Sequence, residues 1–542
     1  MTLYEFSTPQ LDYFLLTPFL IVLGVACLGI LVEAFWPRKG RFLVQLILGV
    51  LGLGCALTVL VLHWGISGLA DPSRMPATGP YADSMVSGTV MVDGPAQGFW
   101  LILLGFALIA IIGFAERRIH SGATAFTPSA ASVPGSHAET EATNEGLTHS
   151  EVFPLAIFAL AGGMLLVAAN DLLVLFVAIE ILSLPLYVMV GLARYRRVVS
   201  QEASLKYFLL GAMASAVLLF GVAFLFGYAG SFNYTALAGG VTFTAGGDAL
   251  LLVGLGLVLI GLLFKIGAVP FHSWVPDVYQ GAPTPVTAFM SIVTKTAAVG
   301  GFLRLFYSGL GGMRWTWQPV LAGVGLLTIA VGVLLAINQN DIKRVLAYSA
   351  ISHAGFILIP LVGASSTVAL GGLTGPSSVA SIMFYLIAYG FAALGAFAIV
   401  TLVRTQGREA TTLEAWAGLG RQHWLVSVIL MIFLLSMAGI PLTAGFVGKY
   451  VAFVSAWQGG FWWLALAGVL LAVIAVYLYI RVIQVMFFRE ATDETAELAT
   501  PGVGTWIVLV ICLLGTLGFG LVPGPLLDLL QAVSQFLLPA AL

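Results

Sequence analysis

The chain has 542 residues, of which 60% are hydrophobic and only 8% charged, whereas a soluble domain carries about 25% charged residues; water is therefore excluded as its main solvent. The formal net charge of −2 provides no basic footprint, which argues against a nucleic-acid partner. Cys27, Cys55 and Cys512 stand far apart inside apolar runs with no CxxC or Cys/His spacing, so no iron–sulfur or zinc site is expected and no metal site is assigned.

The first residues, MTLYEFSTPQLDYF, lack a basic stretch and a cleavage site, and the first helix is read as retained rather than as a signal peptide. A run of roughly 20 apolar residues crosses a bilayer as a helix. Fourteen such spans are predicted, at 11–35, 41–64, 96–115, 151–169, 171–192, 203–229, 248–268, 284–307, 317–337, 342–364, 376–404, 424–455, 461–487 and 503–523. The fold class is therefore an all-α polytopic membrane protein. Residues 119–150 are rich in Ser, Thr, Ala and Gly, a composition that buries no core, and are predicted to be a mobile cytoplasmic linker. Residues 525–542 form a short tail with a Leu-rich face, predicted to lie at the outer membrane surface.

The 22 lysines and arginines test this count. Alternate loops must face the same side, and cytoplasmic loops concentrate Lys and Arg. One set of loops holds Arg38, Lys39, Arg41, Arg117, Arg118, Arg194, Arg196, Arg197, Lys343, Arg344, Arg404, Arg408, Arg421 and Arg489; the other holds Arg74 and Arg314. The asymmetry predicts that both termini face away from the cytoplasm. Six basic residues remain: Lys206, Lys265, Lys295, Arg304, Lys449 and Arg481. Arg304 and Arg481 lie near span ends, where their stems can snorkel to the interface. Lys206 opens a span four residues after Glu202, on one helix face, and reads equally as a solvated pair or as a proton entry. Glu33 and Asp171, at span ends, are read as interfacial.

Lys265, Lys295, Lys449 and Glu180 lie deep in apolar runs. A charge there costs several kcal/mol unless it pairs, faces a wet interior or carries ions. Desolvation favours the neutral amine and a nearby carboxylate favours the ammonium, so a lysine set between the two can take up and release a proton. Pro270, Pro276, Pro283 and Pro285 follow Lys265, and Gly439, Pro441, Gly445 and Gly448 precede Lys449. Both spans are therefore predicted to be broken, as helices are along ion pathways. His353 is a candidate relay, and Tyr385 and Tyr389, one turn apart, are placed to bond water in the same interior.

The stretch 264–295, FKIGAVPFHSWVPDVYQGAPTPVTAFMSIVTK, closely resembles the signature of the proton-translocating antiporter-like subunits of respiratory complex I. Its PDVYQGAP form is similar to the subunit N family of NADH-quinone oxidoreductase rather than to subunits M or L. SLKYFLLGAMAS at 204–215, NQNDIKRVLAYSAISHAGF at 338–356 and AGIPLTAGFVGKY at 438–450 extend the resemblance, which covers about 90 to 490. Subunit M has glutamate where Lys449 stands, and subunit L carries a long extra amphipathic helix for which this chain ends too soon.

The resemblance implies two inverted five-helix repeats, 151–307 and 317–488, each with one broken helix. A three-helix region at 1–118 would precede the linker, and a last helix with its tail, 503–542, would follow. It implies proton transfer through Glu180, Lys265, Lys295 and Lys449, with Lys206, Glu202, His353, Tyr385 and Tyr389 as possible relays. The expected role is that of a translocase subunit in a bacterial inner membrane, next to antiporter-like subunit M and the small subunits on the quinone side. No cofactor is expected in this chain, since FMN, iron–sulfur clusters and quinone belong to other subunits. The alternatives are an antiporter-like subunit of a cation/proton antiporter complex or membrane-bound hydrogenase, or a scaffold whose charges only hold helices together. A stand-alone secondary transporter would need a substrate-sized polar cluster, which the sequence lacks.

Overall fold

The computed structural model describes residues 12–67, 85–86, 88–118, 124–133, 136–145, 148–243, 249–364, 376–491 and 495–534. Arg74 and the tail beyond 534 lie outside these residues, as do parts of the 119–150 segment. The chain opens with α1 (Tyr13–Phe35), α2 (Arg38–Ser67) and α3 (Gly94–Phe114), then a short α4 (His137–Asn144). It continues with α5 (Val152–Ala168), α6 (Leu172–Val190), α7 (Arg197–Ala229), α8 (Tyr234–Phe243), α9 (Ala249–Ile266) and α10 (Trp274–Gly281). One long span follows, built of α11 (Thr284–Phe289), a π turn (Met290–Thr294), α12 (Lys295–Arg304) and a second π turn (Leu305–Gly309). The rest comprises α13 (Arg314–Ile337), α14 (Ile342–Gly363), α15 (Ser378–Leu402), α16 (Leu419–Gln422), α17 (Trp424–Ala438), α18 (Ala444–Gln458), α19 (Trp462–Phe488), α20 (Val503–Leu521) and α21 (Gly524–Ala532).

Among the described residues, twelve helices are long and apolar enough to cross a membrane, and α5 and α17 are shorter apolar helices. The span from Thr284 to Gly309 and α14 are buried on every face, with α15 beside them; α1, α2 and α20 form the rim. The rim exposes Leu28, Leu51 and Leu514, each more than half accessible, which suits a lipid surround. Interhelical contact inside the bundle uses small residues, as lipid-embedded packing requires. A Cβ at Gly355 would lie 2.7 Å from the Gly325 carbonyl oxygen, so α13 and α14 approach backbone to backbone.

Asp12, Asp93, Asp171 and Asp341 cap helix starts with their carboxylates, and the last two match. Asp171 Oδ1 accepts the N–H groups of Leu173 and Val174, and Asp341 Oδ1 those of Lys343 and Arg344. The Asn170 carbonyl accepts Tyr234 N–H while Leu172 N–H donates to Phe232; likewise the Asn340 carbonyl accepts Leu413 N–H while Ile342 N–H donates to Thr411. The two helix breaks also match. Gly267 (φ +78°) and Gly439 (φ +87°) each donate to carbonyls three and four residues back, and the following N–H reaches five back. This is the left-handed helix stop that glycine adopts without strain.

The loop after α6 meets the loop that opens α14, since Arg194, Arg196, Gln280, Lys343, Arg408 and Glu409 line one small cleft. The two capped ends therefore sit at opposite ends of the bundle. A three-stranded sheet joins the same end, with β2 (Arg408–Glu409) and β3 (Glu497–Leu498) pairing on either side of β1 (Val403–Thr405).

Two expectations are corrected. The described part of 119–150 is not a free linker but packs on its neighbours. Phe126 is fully buried and bridges Ala193, and Thr127 N–H donates to the Leu192 carbonyl at 2.8 Å. Arg197 reaches Thr127 Oγ1 (2.7 Å), the Ser129 carbonyl (3.1 Å) and Glu139 (2.9 Å). The segment lacks a core of its own, but it gives one aromatic ring and several carbonyls to its neighbours, which composition does not disclose. Secondly, Arg304 does not snorkel. It is 1% exposed and forms a two-pronged ion pair with the fully buried Asp93, while its Nε donates to the Val167 carbonyl at 2.7 Å. Arg481, seven residues before the end of α19, reaches the end of α13 instead, donating to the Gln339 carbonyl (3.0 Å) and Asn340 Oδ1 (2.8 Å).

Candidate functional site

Lys265 occupies the last turn of α9, two residues before the Gly267 stop, and is 7% exposed. Its ammonium donates to Ser183 Oγ at 2.6 Å and lies 3.5 Å from Tyr187 Oη. Glu180, Ser183 and Tyr187 follow one another at three and four residues on α6 and so share a face. Glu180 is not in ion-pair contact with Lys265; its Oε1 is buried without a hydrogen-bond partner among the described residues. The Tyr187 position depends on Gly211 in α7, where a Cβ would overlap the Tyr187 hydroxyl.

Lys295 follows the first π turn directly, at 4% exposure. π turns insert one extra residue into a helix and recur at functional sites. Its ammonium donates to the Ala350 carbonyl of α14 and lies 5.0 Å from the Tyr389 ring centroid. Below it, Thr284, Thr287, Ser291 and Thr294 recur at helical spacing on the same span, all buried. Thr284 Oγ1 donates to Glu409 at 2.8 Å, and Glu409 lies 3.7 Å from the buried Lys343 ammonium.

His353, one turn beyond Ala350, joins two tyrosines. Its Nδ1 is 2.7 Å from Tyr385 Oη and its Nε2 3.1 Å from Tyr479 Oη. Tyr479 Oη lies 2.6 Å from Ser349 Oγ in turn. The Tyr389 ring packs 4.7 Å from the imidazole centroid. A cavity of about 10 Å³, lined by His353, Tyr385, Tyr389 and Ser436, abuts this chain, enough for one water-sized molecule. Hydroxyl, imidazole and hydroxyl thus form a hydrogen-bonded chain whose members can each donate and accept a hydrogen bond, beside a water-sized void.

Lys449 sits in α18 just past the second break, 6% exposed. Its ammonium donates to the Ala438 carbonyl at 2.7 Å and lies 4.8 Å from the Phe356 ring centroid. The Gly439 stop both frees carbonyls at the end of α17 and leaves room for the lysine stem, since a Cβ there would lie 2.8 Å from Lys449 Cδ. Among the described residues, none of Lys265, Lys295 and Lys449 has a carboxylate within 4.0 Å. Neutral oxygens and aromatic faces hold them instead.

Lys206 and Glu202 stand apart from this line. They pair at 2.8 Å on the exposed face of α7, 45% and 57% accessible, and Lys206 also bonds Asp277 of α10 at 2.9 Å. Asp277 binds Arg344 at 2.9 Å, which ties the broken segment to α14. Sequence reasoning missed Ser183, Tyr187, Ser349 and Tyr479. Their signal was polar residues three and seven positions after Glu180, and hydroxyls inside otherwise apolar spans.

This arrangement of broken helices around buried lysines is that of a multi-pass ion-translocating subunit, and the chain belongs to the NADH:quinone oxidoreductase/Mrp antiporter transmembrane family, whose model matches residues 169–475. It is 49% identical to NADH-quinone oxidoreductase subunit N of Nocardioides sp. (strain ATCC BAA-499 / JS614), over 98% of this chain and 99% of that one. It is 46% identical to the subunit N of Cutibacterium acnes (strain DSM 16379 / KPA171202), over 99% of this chain and 97% of that one. Its fold is similar to that of a chain in respiratory complex I from Thermus thermophilus with bound aureothin, with a TM-score of 0.72 and 31% identity over 95% of this chain and 99% of that chain.

Proposed function

We propose that this chain is a proton-translocating membrane-arm subunit of NADH:quinone oxidoreductase, with Glu180, Lys265, Lys295 and Lys449 as its proton-transfer groups. The observation that carries the reading is the set of three buried ammoniums held by neutral oxygens, two of them beside matching helix breaks and the middle one beside His353. Full-length similarity to subunit N relatives supports it over a cation/proton antiporter or hydrogenase subunit. A scaffold would have no use for lysines without counter-ions.

In this reading the chain crosses a bacterial inner membrane fourteen times, counting α5 and the interrupted α17–α18, with both termini on the outer side. Two inverted five-helix units, 151–307 and 317–488, account for the matching caps and stops. The redox groups, FMN, iron–sulfur clusters and quinone, belong to other subunits. Antiporter-like subunit M and the small quinone-side subunits are its neighbours. Charge moving in the arm shifts Lys265 between Ser183 and Glu180. A proton then passes to Lys295, through His353, Tyr385 and Tyr389 to Lys449, and out. Lys206 and Glu202 act at the edge, holding α10 through Asp277.

The test is Lys265→Ala and Lys449→Ala in the assembled complex. Quinone reductase activity coupled to proton pumping should fall at least about tenfold while the complex still assembles. Unchanged pumping in both variants would overturn the assignment.

A further inference from the structure

We infer that the chain carries a binding site for an anionic phospholipid where α2, α3 and α20 meet. An apolar groove of about 620 Å³ runs between these helices, lined by Leu46, Ile47, Val50, Ile112, Val503 and Ile507. That is within the range of ligand sites, about 300–1,000 Å³. It opens laterally on the rim that faces lipid. Its α2 wall, from Leu46 to Leu51, is about 8 Å long at 1.5 Å per residue, which suits the glycerol-proximal part of acyl chains.

Arg117 and Arg118 close the groove at the end of α3. Arg117 is also a wall of a second cleft, of about 1,020 Å³ and mixed lining, with Arg38 and Arg41 at the start of α2. The two spaces thus share Arg117, with mostly apolar lining on one side and, on the other, three arginines beside Glu33, Glu145 and Glu151. This is the division a phospholipid has between chains and phosphate.

Charge complementarity selects the occupant. The carboxylates nearby are mostly spoken for. Glu116 accepts Gly502 N–H at 2.8 Å and the Thr505 hydroxyl, so it caps α20. Glu33 pairs with Arg41 at 3.2 Å and Glu151 with His149 at 2.6 Å; Glu145 is the remaining acid of the cleft. Arg38 and Arg118 have no ion-pair partner among the described residues. Guanidinium forks match phosphate geometry, and basic pockets between membrane helices on the cytoplasmic side bind lipid head groups. A partner's transmembrane helix would fill the groove but leave these arginines unanswered.

The test uses the intact complex, stripped of lipid in mild detergent and titrated with phosphatidylglycerol or phosphatidylcholine, with retained lipid counted by native mass spectrometry. The expected result is tight retention of phosphatidylglycerol only. Affinity should fall at least tenfold in Arg117→Gln/Arg118→Gln and in Val50→Trp, which fills the groove, and hold in Arg117→Lys/Arg118→Lys. Equal retention of phosphatidylcholine, or no loss in either variant, would overturn the site. So would a photo-crosslinker at position 47 that captures a neighbouring subunit instead of lipid.

Discussion

The Lys265 ammonium rests 2.6 Å from Ser183 Oγ, one helical turn from a Glu180 carboxylate oxygen that is buried and unpartnered. Two acceptors on one helix face thus compete for one cation, and the one with the charge is not holding it. Glu180→Gln removes the charged acceptor, so coupled activity should fall at least about tenfold. Ser183→Ala removes one hydrogen bond from the ammonium, worth about 1.5–3 kcal/mol, but leaves Tyr187 as a second partner, and should cost less. Titrating quinone reductase activity and pumping in both variants checks the order; a Ser183 variant worse than the Glu180 variant would reverse the roles.

Gly211 should be as sensitive as a residue in direct contact, although it touches no lysine. A Cβ there overlaps the Tyr187 hydroxyl, so Gly211→Ala displaces the second partner of Lys265. Tyr187→Phe alone removes the same hydroxyl without any overlap and should cost about as much coupled activity. A Gly211→Ala loss far larger than that of Tyr187→Phe would point to helix separation instead.

Gly439 combines two demands. Its φ of +87° ends α17, and a Cβ would lie 2.8 Å from Lys449 Cδ. Gly439→Ala should therefore reduce pumping at least about tenfold, through strain at a left-handed position and through the lysine stem. Gly267→Ala carries the same backbone cost but only a Val275 methyl nearby, 2.9 Å away, and should be milder. Proton flux in reconstituted vesicles separates them.

How much of this was legible beforehand follows from what each feature rests on. Apolar length alone located most spans, and glycine with proline marked both breaks. The four deep charges were legible because charge in hydrocarbon is costly wherever it occurs. Their partners were not. Ser183 and Tyr479 are ordinary residues until the fold sets α6 against α9 and α14 against α19. Lys343 and Arg197 counted as loop charges, yet both are buried, because the helix ends fold over them. The π turns at 290–294 and 305–309 have no sequence mark, since they arise from packing on neighbours.

Arg304 shows most sharply what position along a span fails to reveal, and it gives the last prediction. The Asp93–Arg304 pair is buried at both ends, caps the start of α3 through Ala96 N–H, and reaches the Val167 carbonyl next to α5's end. Removing one partner leaves a bare charge in a low-dielectric interior, at about 3–5 kcal/mol. Arg304→Met or Asp93→Leu should therefore lower the thermal stability of the complex and its yield. The double variant Asp93→Leu/Arg304→Met removes both charges and should recover much of that loss, though not the cap on α3. Because the pair lies off the lysine line, pumping per assembled complex should stay near normal in the double variant. A double variant that assembles fully but fails to pump would instead place Arg304 on the proton route.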